Sequence, residues 1–117
     1  MQYMLLIHMD ENAMPPASTD EPYAMNESYL AYNAALKKAG AWIAGDRLKP
    51  TSLATTVRMR DGKTEVLDGP FAETKEQLGG YYIIEAKDLD DALGWARKCP
   101  GTAFGTVELR PIWAKQD

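Results

Sequence analysis

The chain has 117 residues, 45% hydrophobic and 26% charged, which is the balance of a single soluble globular domain over 1–117. A net charge of −4 argues against nucleic acid, whose phosphates need a clustered basic surface, and no apolar run reaches the roughly 20 residues that span a bilayer. The single cysteine, Cys99, excludes an internal disulfide and fits a reducing cytoplasm, where we place the protein.

Residues 2–9 read as a strand, not a leader peptide. Tyr3, Leu5, Ile7 and Met9 fall on one face and Met4, Leu6 and His8 on the other. A strand apolar on both sides has to be covered on both sides. Asp10–Asp20, with Pro15-Pro16, reads as a loop, and Glu21-Pro22 is expected to open a helix. Met25, Tyr29, Tyr32 and Leu36 recur along that helix at helical spacing, and Gly40 ends it. Ala41–Ala44 reads as a second strand, followed by the polar corner Gly45–Pro50.

Leu53–Arg60 and Lys63–Leu67 flank Asp61-Gly62, a strong hairpin signal, and a two-residue turn there sets Arg58 opposite Glu65 and Val57 opposite Val66. The run Asp68-Gly-Pro-Phe-Ala-Glu-Thr-Lys-Glu-Gln-Leu-Gly-Gly-Tyr82 comes next. It packs a tight turn, four charged side chains and a double glycine ahead of the strand Tyr81–Ala86. Such a loop is expected to line a site or close a subunit contact, with Phe71 inserted in the core or the contact. Asp88 caps a second helix with Leu89, Ala92, Leu93 and Ala96 as its buried stripe, and Cys99-Pro-Gly ends it. Thr106–Trp113 is the last strand.

The order β-α-β, hairpin, β-α-β is a split βαβ pattern: a ferredoxin-like α+β fold with an inserted β-hairpin. Two helices cover one face of a sheet, so the other face has nothing left in the chain to cover it. A second copy packing sheet on sheet is the economical answer, and a homodimer is expected.

Asp68-Gly-Pro-Phe71 and the residues after it, with Met4-Leu-Leu-Ile7, Ala44-Gly-Asp-Arg-Leu48 and Val107-Glu-Leu-Arg-Pro111, resemble the YCII-related proteins of the DGPF type nearly end to end. The resemblance implies a dimeric α+β barrel and bacterial cytoplasmic proteins, often encoded beside extracytoplasmic-function sigma factors. Shorter members carry a histidine near the start of the first helix, proposed to pair with an aspartate as an acid–base dyad. Aligned on Gly40, that position falls close to Tyr29. An unperturbed tyrosine titrates near 10 and cannot replace histidine as a base at neutral pH, so the dyad is not carried over.

Six residues remain as site candidates. His8, the sole histidine, and Asp68, at the head of the turn, are the candidates for moving a proton. The bland readings are a strand-end histidine bonded to a neighbour and a turn aspartate accepting backbone N–H groups. Arg47 and Arg110 are candidates for holding a carboxylate or phosphate, with Asp46, Asp68 and Glu73 as possible ion-pair partners of Arg110. Asp46 and Glu73 are further candidate ligand contacts. No Walker loop, dinucleotide fingerprint, catalytic-serine order or metal motif is present, and no cofactor is expected. Two functions fit: a cofactor-independent lyase or isomerase acting on a small organic acid, or a non-catalytic ligand-sensing or regulatory module within a sigma-factor circuit.

Overall fold

A computed structural model describes residues 1–13 and 25–116. Its elements are β1 (Gln2–Met9), α1 (Glu27–Lys38), β2 (Trp42–Arg47), β3 (Thr55–Arg60), β4 (Lys63–Asp68), β5 (Gln77–Glu85), α2 (Leu89–Lys98) and β6 (Thr106–Pro111). Four strands form a sheet in the order β2-β5-β1-β6 with every neighbouring pair antiparallel. β1 and β2 therefore run parallel with β5 between them, and β5 and β6 run parallel with β1 between them. These are two interleaved split βαβ units, the ferredoxin-like α+β arrangement.

Period-two alternation decides which residues enter the core. Tyr3, Leu5 and Ile7 join Tyr82 and Ile84 of β5, Tyr32 and Leu36 of α1, and Ala92 and Ala96 of α2 in one buried cluster. Both helices thus cover the same sheet face. On the opposite face Met4, Leu6 and Ile83 are only half-buried and Ile43 is exposed.

The inserted hairpin forms a separate two-stranded ribbon, β3–β4. Asp61 and Gly62 have φ of 51° and 77°, the paired positive values of a type I′ turn. The register is the expected one: Val57 faces Val66, and Arg58, opposite Glu65, donates from Nε to Glu65 Oε2 at 3.0 Å.

Several boundaries differ from the sequence reading. Pro22 lies outside the described residues. Within them α1 begins at Glu27 behind Asn26, whose side chain accepts from Tyr29 N–H at 3.0 Å, so Met25 precedes the helix. The C-terminal end follows expectation, with Gly40 N–H on Lys37 O and Ala41 N–H on Leu36 O, both bonds of a Schellman stop. β2 runs on to Arg47, and β5 begins at Gln77, four residues before Tyr81. The double glycine is strand, not loop, because the β2 backbone passes so close that a Cβ on Gly80 would lie 3.1 Å from Asp46 O.

Leu53 belongs to a short helical turn, so β3 starts at Thr55, and β4 extends to Asp68. Leu89 is exposed because the Asp88 cap places it at the first helical position, facing out. Trp113 lies beyond the end of β6. Phe71 is 79% exposed and does not enter this chain's core.

Candidate functional site

Between the first turns of α1 and the adjoining ends of β1, β2 and β5 lies a cleft of about 300 Å³. The Asn26 cap sets where the helix starts, and therefore which of its residues look over the sheet. Tyr29 and Asn33, four apart, fall on one helix face and both line the cleft. Tyr82 rises from the sheet below, and its hydroxyl donates to Asn33 Oδ1. Its ring stands edge-on to Tyr32 at 5.3 Å and to Trp42 at 5.9 Å, so it has little freedom to move. That ring lies directly over Gly45, where a Cβ would come within 2.7 Å of Tyr82 Cδ1.

Arg47, two residues after Gly45, falls on the same side of β2 by strand alternation and brings a positive charge to the cleft. Gly79 and Gly80 contribute backbone without side chains and so leave the space open. Ile7, Met9, Met25 and Phe104 supply the apolar wall.

The electrostatics favour neutral donors beside one cation. Burial pushes the Tyr29 hydroxyl up to about 12, the Cys99 thiol acts in the same direction, and the Arg47 guanidinium pulls it down. Tyr29 therefore keeps its proton at neutral pH and is available as a donor. Burial also holds Tyr32 far above the usual phenol range, consistent with its hydroxyl donating to Trp95 O at 2.6 Å. The Cys99 thiol, 1% exposed, is raised by burial against an opposing contribution from the Gly101 N–H; it is a protonated packing group. Asp46 and Tyr81 border the cleft where β2 pairs with β5, but strand alternation turns both side chains to the open sheet face, where the Tyr81 hydroxyl donates to Asp46 Oδ2 at 3.0 Å and is raised by that bond.

The six candidates from the sequence fall in three places. Asp46 and Arg47 border the cleft. His8 and Arg110 lie on the sheet face away from the helices. There His8 Nε2 is 3.4 Å from Glu108 Oε1, and Arg110 Nη1 is 3.4 Å from Glu108 Oε2. The acidic neighbour of Arg110 is thus Glu108, two residues back on its own strand, in place of Asp46, Asp68 or Glu73. Asp68 is exposed at the end of β4. Glu73 borders a shallow depression shared with Glu11, Thr51 and Gln77, in which Glu11 accepts from the Thr51 N–H at 3.0 Å and from its hydroxyl at 2.7 Å.

The sequence places Tyr29 on the helix stripe and near the position of the family's histidine, and does not single out Asn33 or Phe104. The spacing Asn26-x-x-Tyr29-x-x-x-Asn33 held the signal for the helix wall, because a cap at Asn26 fixes the face that both residues share. Among the described residues no group of three His, Cys, Asp or Glu side chains is placed to hold a metal ion, and no helix is long and apolar enough to cross a membrane.

Residues 1–115 match the YCII-related domain. An uncharacterised protein of Rhizobium meliloti (strain 1021) is 39% identical over 114 residues, covering 96% of this chain and 92% of that protein.

Proposed function

The chain belongs to the YCII-related family, and on that premise we propose that it binds a small organic acid in the cleft under α1 and carries out cofactor-independent acid–base chemistry of the lyase or isomerase type. The observation that carries this reading is a cleft of about 300 Å³ in which one guanidinium, Arg47, stands beside a neutral phenol, Tyr29, within an otherwise largely apolar wall. That volume is at the lower end for small-molecule sites, and a few polar groups in an apolar cavity are what orient a ligand.

Arg47 takes the anionic end through charge-assisted hydrogen bonds, and of the two arginines considered it is the one at the cavity. Tyr29 donates its proton, or a hydrogen bond, to an oxygen on which charge develops. The Asp46 carboxylate, held by Tyr81, lies on the other side of β2 from Arg47, so Tyr29 is the proposed proton-carrying group of the cleft. A cleft of this kind favours ligand chemistry over a purely regulatory contact surface.

We also propose a homodimer formed through the open sheet face. In that arrangement His8, Glu108 and Arg110 form a charged row at the contact, and the loop between β4 and β5 lies at its margin.

Crystals soaked with a mixture of short carboxylates and phosphates test the binding reading. Density beside Arg47 under α1 is the expected result. Density confined to His8 and Arg110 on the open face would move the site there, and a cleft that stays empty at saturating concentration would defeat the reading.

A further inference from the structure

We infer that the acid held in this cleft is an aromatic carboxylate, and that Phe104 is the residue that selects it. The inference rests on the organic-acid reading above and goes beyond it in naming the class of substrate.

Phe104 lines the cleft yet is 68% exposed. A phenyl ring left in water forgoes the favourable burial of its apolar surface, and a bound ligand that covers the ring recovers part of it. The ring is also held in place. Phe104 follows a short helical turn, Pro100–Ala103, and its N–H bonds back to Gly101 O at 3.2 Å. On its other side Gly105 packs so tightly under β1 that a Cβ there would come within 2.0 Å of His8 O. A backbone pinned on both sides presents the aromatic group without the cost of ordering a mobile loop.

The rest of the wall suits a flat unsaturated ring. Tyr29 and Tyr82 are aromatic, and Met9 and Met25 are polarisable thioethers that favour contact with aromatic rings. The Tyr29 hydroxyl sits over the same turn, 3.2 Å from where a Cβ on Gly101 would stand, so the donor and the Phe104 ring are carried together. Arg47 supplies the one positive group among the lining residues, which sets the carboxylate at the β2 side. A ligand with its anion on Arg47 and an aromatic body against Phe104 uses both features; a short aliphatic acid uses only the first.

The test compares 3-phenylpropanoate with 3-cyclohexylpropanoate, which have the same number of carbons, the same linker and the same charge but differ in ring planarity and π character. Calorimetric titration of the unmodified protein should show 3-phenylpropanoate binding about three- to tenfold more tightly, the range expected of an aromatic pair beyond simple area burial. Phe104→Leu should abolish that preference while still binding both acids, and Phe104→Tyr should preserve it. Equal affinities in the unmodified protein, or a preference that survives Phe104→Leu, would overturn the inference. If Arg47→Gln weakens both acids while no preference exists, the inference fails alone. If neither acid binds the unmodified protein, the organic-acid reading fails with it.

Discussion

Arg47 and Tyr29 carry the proposed ligand site, and their expected effects separate cleanly. Arg47 is exposed on β2 and outside the buried cluster, so Arg47→Gln should leave the melting temperature nearly unchanged. Hydrogen bonds to a charged group contribute about 1.5–3 kcal/mol, so carboxylate affinity in the same variant should fall about 10- to 100-fold by calorimetry. Tyr29 acts through its proton. Its folded value is raised to about 12 from 10.0, chiefly by burial. Between pH 10 and 12 the unfolded chain releases this proton while the folded chain retains it, so stability falls as pH rises through that window. Below pH 10 both states hold the proton and the slope vanishes. Denaturant melts at pH 9, 10 and 11 should show this decline, and Tyr29→Phe should flatten it. Some slope should remain, because Tyr32 is raised by burial in the same direction. A variant with the full original slope would place the titration elsewhere. At this scale the sequence was legible where placement is local, as with Arg47 at the cleft two residues after Gly45, whereas Asp46 between them faces the other side of the sheet. It was not legible for Phe104, whose role depends on Gly105 meeting the β1 backbone at His8, 97 residues away in sequence.

Element by element, what could be read depended on whether the determinant lay within the element. The β3–β4 register followed from Asp61-Gly62 and the Arg58–Glu65 pair, because turn type and cross-strand pairing are nearest-neighbour properties. The start of β5 did not, because the glycines at 79 and 80 look like loop until the close approach of β2 is known. The start of α1 within the described residues is set by the Asn26 cap, a local signal that the reading from Pro22 did not use. The hairpin also makes a prediction about local stability. Among the described residues its strands pair only with each other, and a lone two-stranded ribbon is marginal in water. Gly62 has φ of 77°, so Gly62→Ala introduces a left-handed alanine at a cost of about 1–2 kcal/mol. Amide exchange over 55–68 should accelerate about five- to thirtyfold while β1 and β5 amides keep their protection, because the ribbon opens as its own unit. Equal acceleration in both sheets would mean that the hairpin is integral to the core.

For the molecule as a whole, the unresolved physical problem is the sheet face that the helices do not cover. Both helices contribute to the same buried cluster as Tyr3, Leu5 and Ile7, which leaves Met4, Leu6 and Ile83 half-buried and Ile43 40% exposed on the other side. The ribbon adds Val57, Met59 and Val66, each more than 60% exposed on one of its faces. A folded chain of this size in water rarely leaves so much apolar surface open, and a two-fold contact covers identical patches on two copies at once. Ile83 sits between Met4 and Ala44 near the middle of that face and touches none of the helix-side cluster. Ile83→Lys therefore places like charges opposite one another across the contact while sparing the core. Light scattering should give a mass of twice 13.0 kDa for the unmodified protein and 13.0 kDa for the variant, with helical circular dichroism retained. An unmodified protein that runs at the single-chain mass would leave the open face without a second copy to cover it. A variant that stays dimeric would move the contact elsewhere, with the apolar face of the ribbon as the surface to probe next.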